Sequence, residues 1–408
     1  MDFNDTPEQA AYRAEVRAWL GANAEPRKDR PSVSRRLDAE EGLALAKAWQ
    51  ARKADAGYAC RHWPVAHGGQ GRPMIETIIY DQEEADFDVP TGFFSIGLGM
   101  CGPVMAQYAT QEQQARFIPP LMRGEEVWCQ LFSEPAAGSD VAGLRTRCHR
   151  DGDDWVVNGQ KVWTSGAHYS DWGILVARHD SSLPKHKGLT FFFIDMKSPG
   201  IDIKPIKQIN GGSNFNEVFF TNVRVPDSQR LGAIGEGWQV AITTLMNERL
   251  AVGDAPPPDF REVMKLAAAC ELDGRSALED SSVREKIADW YVESMGMKHT
   301  KARTMTALSQ GKVPGPENSI GKVVSASKLQ NVSSFGADLM DMGGVITDPS
   351  LMPSDALFQQ SFLYSPGLRI AGGTDEILRN IIAERVLGLP GEIRVDRDVP
   401  YSDIPTGS

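Results

Sequence analysis

Apolar positions recur at helical spacing from the start of the chain, and the period changes twice before its end. Thr6-Pro7-Glu8 reads as an N-cap, a first-turn proline and an acidic first turn, with Tyr12, Val16 and Leu20 on one stripe. The helical reading covers 6–56, with a second segment through 40–52, and resumes over 74–85 after the glycine-rich Trp63-Pro64-Val65-Ala66-His67-Gly68-Gly69. Thr110 caps a further short helix ending near Gly124. From Val127 to Pro226 the pattern becomes that of strands, at 173–177, 189–194 and 216–223, each bounded by Gly, Pro, Asn or Asp. Asn158-Gly159, set between Val156-Val157 and Lys161-Val162-Trp163, predicts a hairpin turn, and Phe191-Phe192-Phe193 predicts sheet core. Helical spacing then returns. In 238–253, Ile242, Leu245, Met246 and Leu250 form an apolar stripe, while Ala241, Thr244, Glu248 and Val252 follow one another along a neighbouring face. Amphipathic helices at 283–309 and 317–342, divided by Pro314-Gly315-Pro316, precede a last helix running to Leu389.

These changes of period predict an α+β multidomain chain. Its expected parts are an all-helical domain at 1–126, a β-domain at 127–235 and a helical domain at 236–390. A charged, proline-containing tail at 391–408 has little to bury and is expected to be mobile. At 408 residues the chain exceeds what one core usually serves.

Composition narrows the function classes. With 41% hydrophobic and 24% charged residues the chain reads as a globular enzyme. Its net charge is −11 and it has no long basic run, which argues against nucleic acid or an anionic membrane surface as a partner, though local backbone N–H groups can still hold a phosphorylated ligand. The five cysteines form no CxxC pair, and no histidines fall at ligand spacing, so reduced thiols and no metal are expected. The amino terminus is acidic with no apolar signal region, and no run approaches the ~20 apolar residues of a membrane span, so the expected compartment is the cytoplasm. Gly97-Leu98-Gly99-Met100-Cys101-Gly102 is a literal GxGxxG, but a helical pattern follows it and no strand series surrounds it; close helix packing is the better reading. His67 has no acid or nucleophile pattern around it and reads as loop packing.

The densest chemistry lies in 129–166. Ser133-Glu134-Pro135-Ala136-Ala137-Gly138-Ser139-Asp140 is a turn-rich run of small residues that lets backbone N–H groups approach an anionic or carbonyl-bearing ligand. Downstream, Asn158-Gly159-Gln160-Lys161-Val162-Trp163-Thr164-Ser165-Gly166 completes the stretch. Glu248, a carboxylate beside an apolar stripe, is a candidate general base if desolvation raises its pKa.

Together these motifs, with Trp63-Pro64 ahead of Gly68-Gly69, resemble the acyl-CoA dehydrogenase family over essentially the whole chain. The resemblance implies an N-terminal helical domain, a middle antiparallel β-domain and a C-terminal four-helix bundle. It also implies FAD, lined by Phe132, Ser133, Gly138 and Ser139, with Trp163 against the isoalloxazine and Ser165, where Thr is usual, at the hydride-accepting edge. Gly343, Gly344, Thr374 and Glu376 would complete the cofactor site; Ser139, Arg249 and Gly372 would bind substrate. The family's usual catalytic Glu is replaced by Gly372, whereas Asn247-Glu248-Arg249-Leu250 matches the branch that carries the base on an earlier helix. That branch includes isovaleryl-, long-chain-like and actinobacterial sterol side-chain enzymes.

The implied reaction is α,β-dehydrogenation of an acyl-CoA to the trans-2-enoyl-CoA, with electrons passed to an electron-transfer flavoprotein. Two departures bear on assembly. The region of the intersubunit Arg and Phe-Gly pair reads Cys270-Glu271-Leu272-Asp273-Gly274-Arg275, and Met340 stands where a flavin-contacting Gln is usual. Either a related, non-identical subunit supplies the missing cation in an α2β2 assembly, or Arg275 substitutes in a homo-oligomer. A flavin monooxygenase or oxidase on the same fold, and a non-catalytic subunit, remain the alternatives.

Overall fold

The structure, a computed structural model, describes residues 5–27, 39–251, 257–309 and 315–405. Helix α1 (Pro7–Asn23) begins as the cap pattern predicts: Gln9 N–H donates to Thr6 Oγ1 at 3.3 Å and Thr6 N–H to Gln9 Oε1 at 3.0 Å. Tyr12, Val16 and Leu20 are buried. α2 (Ala39–Asp55), α3 (Met74–Glu84), α4 (Gly102–Tyr108) and α5 (Gln111–Met122) follow, the last opened by the expected Thr110 capping box. A π-helical turn at Gly97–Cys101 runs into α4 with no strand before it. A Cβ on Gly102 would lie 2.4 Å from the Trp63 ring, so these glycines serve close packing. His67 is also a packing residue, its Nε2 3.0 Å from Gln114 Oε1.

The β-domain contains β1 (Trp128–Leu131), β2 (Arg147–Asp151), β3 (Asp154–Ser165), β4 (Trp172–Arg178), β5 (Leu189–Asp195), β6 (Ile201–Ile206), β7 (Phe215–Pro226) and β8 (Arg230–Leu231). Their order is β6-β7-β3-β2-β4-β5-β8, with β1 pairing β4. The purely antiparallel expectation is corrected here. β1 runs parallel to β4 over Trp128–Leu131, and β2 meets β4 in parallel at Arg147–Arg178. A parallel return needs a long crossover, and the 132–146 loop with the β2–β3 hairpin supplies it. Phe191 and Phe193 enter a core shared with Trp128 and Ile118, while Phe192 faces Trp155, Val157 and Val218 on the other side of the sheet.

Asn158-Gly159 is not a hairpin turn. It lies inside the continuous strand β3, where Asn158 Oδ1 accepts Asn222 N–H at 2.9 Å across an irregularity in the β3–β7 register, and a Cβ on Gly159 would meet Thr146 Cα at 2.6 Å. The turn itself is Gly152-Asp153, with Gly152 at φ 66°.

The chain forms two compact units. The first comprises described residues 15–26, 39–251 and 392–405, so that α6 (Gly237–Ala251) goes with the sheet. Val240 and Ala241 of α6 join the core of Phe132 and Phe191. Within the tail expected to be mobile, Tyr401 N–H donates to Leu183 O and Ser402 N–H to Ser181 O, both at 2.9 Å.

The second unit, with described residues 5–14, 27, 257–309 and 315–391, holds α7 (Phe260–Ala269), β9 (Glu271–Leu272), β10 (Arg275–Ser276), α8 (Ser281–Ser309), α9 (Asn318–Leu339), α10 (Leu357–Leu368) and α11 (Asp375–Ile381). Val263, Leu266, Trp290, Val332 and Phe358 form its core. α9 and α10 approach closely, since a Cβ on Gly336 would sit 2.0 Å from the Phe358 ring. The five cysteines are unpaired, and among the described residues there is no helix long and apolar enough to cross a membrane and no His, Cys, Asp or Glu group able to hold a metal.

Candidate active site

The Ser133–Asp140 loop is shaped by a buried ion pair. Glu134 and Ala137 exchange backbone hydrogen bonds at 3.0 Å, which turns the chain back on itself and leaves Pro135 and Ala136 exposed. Beneath them the Glu134 carboxylate accepts Arg145 N–H (2.6 Å), Thr146 N–H (2.9 Å) and Lys161 Nζ (2.8 Å). Lys161 is fully buried and also donates to Phe132 O at 3.0 Å. Burial pushes the Glu134 carboxyl up, but the ammonium and the N–H donors outweigh it and hold the group below its ordinary range. The pair therefore stays charged and fastens both ends of the loop to β3. Gly138, Ser139 and Asp140 are left exposed, and a Cβ on Gly138 would have nothing within 4 Å.

One strand away, β3 is bulged. Lys161 faces Val218 but Thr164 faces Asn216, so β3 holds one extra residue there, and Val162 N–H turns instead to Ser133 O at 2.9 Å. Trp163 takes up the excess at φ 59°, a conformation rare for a bulky residue. Its indole is 54% exposed and meets Phe215 edge-on at 6.0 Å. Ser165 is half-buried two residues on, and Thr164 between them is buried. The bonds from Val162 to Ser133 and from Lys161 to Glu134 thus bring the start of the Ser133–Ser139 loop to the part of β3 that carries Trp163 and Ser165. Phe132 differs from the expectation. It is packed in the core against Phe191 at 5.7 Å, and its carbonyl is taken by Lys161, so its side chain does not line the surface.

α6 rests on this core through Val240, Ala241 and Thr244, all fully buried. Position 248 follows Thr244 by one turn and Ala241 by two; the side chains of Glu248 and Arg249 lie outside the described residues.

In the second unit Gly343-Gly344 form a tight turn after α9, where a Cβ on Gly344 would fall 2.1 Å from Ala337 O. Gln359 Nε2 donates to Gly343 O at 3.2 Å beside the Met340 sulfur, so an amide reaches this turn from α10. Gly372 and Gly373 have φ 62° and 91°. Thr374 caps α11, accepting Ile377 N–H at 3.2 Å, and Glu376 is exposed. The buried Asp375 binds Arg369 at 2.7 Å and Lys322 at 3.5 Å, and Lys322 also donates to Gly373 O at 2.7 Å. Asp375 is therefore what holds the glycine turn in shape. Arg275 lies on the β9–β10 hairpin, whose turn residues Asp273 and Gly274 both have positive φ, at 52° and 73°.

Family models of the acyl-CoA dehydrogenase N-terminal, middle and C-terminal domains match residues 6–125, 129–223 and 235–387. The chain belongs to the acyl-CoA dehydrogenase family. Among curated members of this flavoprotein oxidoreductase family, IpdE1 of Mycobacterium tuberculosis is 37% identical over 394 residues, 94% of this chain and 98% of that protein. FadE34 of the same organism is 38% identical over 384 residues, 93% of this chain but 52% of FadE34, so the chain spans about half of that relative. Two solved structures share the three-domain acyl-CoA dehydrogenase fold. The Tcur3481-Tcur3483 steroid ACAD has a TM-score of 0.77 at 25% identity, covering 96% of this chain and 100% of that one. The ChsE4-ChsE5 complex from M. tuberculosis has the same TM-score and coverage at 26% identity. Two residues that build the loop and turn, Lys161 and Lys322, are not marked by the sequence motifs as site residues, whereas Asp375 falls in the Thr374-Asp375-Glu376 stretch that resembles the family's cofactor-contacting segment. A lysine inside an apolar strand pattern was the available signal for the first.

Proposed function

We propose that this chain is an FAD-dependent dehydrogenase that converts an acyl-CoA thioester to the trans-2-enoyl-CoA, with Glu248 as the base. The observation that carries the reading is the exposed Trp163, held at a left-handed bulge two residues before Ser165, with the neighbouring Val162 N–H tied to Ser133 O at the start of the loop that leaves Gly138 open. An exposed, flat indole on a strained bulge fits a flat ring system. Trp163, Ser165 and Ser133 would hold the isoalloxazine; Gly343, Gly344 and Thr374 would serve the rest of the cofactor. FAD, when bound, supplies the hydride acceptor.

The chain's own residues supply the acid–base chemistry. A C–H beside a thioester is weakly acidic, so the site must take a proton and stabilise enolate-like charge on the carbonyl oxygen. Glu248 takes the α-proton, on a helix that packs on the sheet core through Ala241 and Thr244. Backbone N–H near Gly372, freed of any side chain at the position where the family usually carries its Glu, stabilises the oxygen. Ser139 and Arg249 bind the thioester and its CoA. An electron-transfer flavoprotein would be the partner that accepts the electrons. Retention of bleached colour in air after substrate addition is the expected result; rapid recolouring would show an oxidase or monooxygenase.

The substrate class is a bulky, steroid-derived acyl-CoA. Small residues at Ala371-Gly372-Gly373 leave room for it, and a structure of 25% identity is titled a steroid ACAD. The assembly is α2β2 with a related subunit. Both solved relatives are titled as pairs of chains, and here Met340 and the β9–β10 hairpin occupy the regions that family homotetramers use across subunits. Expressed alone, the chain is expected to show low flavin content by absorbance and a mass below a tetramer by light scattering, both corrected by co-expression with the partner. A fully flavinylated homotetramer would rule the assembly out, and anaerobic bleaching by straight-chain but not steroid thioesters would rule out the substrate class.

A further inference from the structure

Residues 392–405 return to the sheet unit and fasten to the far end of the loop that begins at Ser133. Beyond the two backbone bonds to Ser181 and Leu183, Pro400 bridges Pro184 in antiparallel fashion. Lys185, nearly buried, places its Nζ between Asp140 (2.9 Å) and Asp396 (2.5 Å). The Tyr401 ring lies 3.5 Å from the Arg178 guanidinium, and its hydroxyl donates to Gly143 O at 2.9 Å. Arg178 is 5% exposed and gives its N–H groups to Ala142 O, Leu144 O and Lys185 O at 2.5, 3.1 and 3.2 Å. Among the described residues its hydrogen-bond acceptors are neutral carbonyls, the π-face of Tyr401 stacks on it, and the Glu134 and Asp140 carboxylates act on its charge from further away.

Apolar burial does not put the segment there. Ile393 and Val395 are 89% and 85% exposed, and Val399 and Ile404 are only half-buried. What holds it is a set of ionic and hydrogen-bonded contacts, and these converge on Asp140, Ala142, Gly143 and Leu144, the residues directly after Ser139.

We infer that Asp396 and Tyr401 are positioning residues: the carboxyl-terminal segment is a strap that sets where Ser139 and Asp140 sit, and so how tightly acyl-CoA binds. Asp396 acts through Lys185 on Asp140, and Tyr401 acts directly on Gly143 and through Arg178 on Ala142 and Leu144. The inference rests on the proposed role of Ser139 in binding substrate. A strap held by charge also responds to salt, because the Asp396–Lys185 pair is partly open to solvent.

The test uses the full-length, flavin-loaded protein with Asp396→Asn, Tyr401→Leu and Tyr401→Phe, and Asp398→Asn, an exposed residue of the same segment, as the control. Unchanged flavin content and melting temperature certify folding. Amide hydrogen exchange of 139–146 is expected to quicken about tenfold in the Asp396→Asn and Tyr401→Leu variants and less in Tyr401→Phe, which keeps the ring. KM for acyl-CoA is expected to rise about tenfold with kcat within a factor of about two, and the salt dependence of KM is expected to vanish in Asp396→Asn. Unchanged exchange in both Asp396→Asn and Tyr401→Leu overturns the strap. Quickened exchange with unchanged KM overturns its role in positioning. If wild-type protein itself binds no acyl-CoA while exchange still quickens, the strap stands as a tether and the proposed function falls.

Discussion

Glu248→Gln is expected to keep its colour and its affinity for acyl-CoA while losing dehydrogenation by about 10²–10⁴-fold, the usual span of a positioned general base. The substitution preserves length and hydrogen-bonding shape and removes only the ability to take a proton. The residual rate should also lose its dependence on a single group at the acid side of the pH profile, since that limb reports the base. Stopped-flow bleaching of the flavin under anaerobic conditions separates this from a binding defect: ligand-induced spectral shifts persist while reduction does not. Near-normal reduction would dismiss Glu248. The reciprocal substitution, Gly372→Glu, is not expected to rescue it, because Gly372 has φ 62°, a conformation that side-chain-bearing residues rarely adopt.

Lys161→Met is expected to cost about 3–5 kcal/mol of stability at neutral pH, the range for stranding one member of a buried pair. The methionine fills the aliphatic space but leaves the Glu134 carboxylate without its ammonium, at a site where Lys161 is fully buried. Chemical denaturation followed by tryptophan fluorescence measures it. The pH dependence identifies the cause. In the wild type, Glu134 is held below its ordinary value, so its contribution is complete above the unfolded pKa of about 4.3 and disappears as the pH falls through the lower folded value. In the variant, burial acts without the ammonium and raises the carboxyl, so protonation relieves the defect. The gap between the two proteins should therefore narrow on acidification. Glu134→Gln added to Lys161→Met should recover part of the loss; a purely steric defect would show neither behaviour.

Local signals in the sequence were reliable where the physics is local. Thr6 and Thr110 cap the helices they were expected to cap, and the Phe191–Phe193 run divides between the two faces of the sheet as strand alternation requires. The loop and strand motifs at 133–166 were legible because the family resemblance rests on contiguous residues. Elsewhere the outcome was set by partners distant in sequence. Asn158-Gly159 has ideal turn chemistry, yet Thr146 and Asn222 draw it into a strand interior. Asp273-Gly274 has the same chemistry and does turn. The Glu134–Lys161 pair and the Tyr401–Arg178 stack join residues with no shared period, so nothing in either segment announces the other. Composition marks the tail as having little to bury, and its contacts with the sheet unit are mainly ionic and hydrogen-bonded, with the Tyr401 stack on Arg178.

The left-handed Trp163 has a thermodynamic corollary. Backbone strain of this kind is worth about 1–3 kcal/mol in the empty protein, and removing it through Trp163→Gly would make the resting enzyme harder to melt. Selection for heat tolerance alone would favour that exchange and discard the indole with it. Engineering this scaffold for durability thus runs into a conflict at one position, where the residue that weakens the apoprotein is the one its cofactor would need.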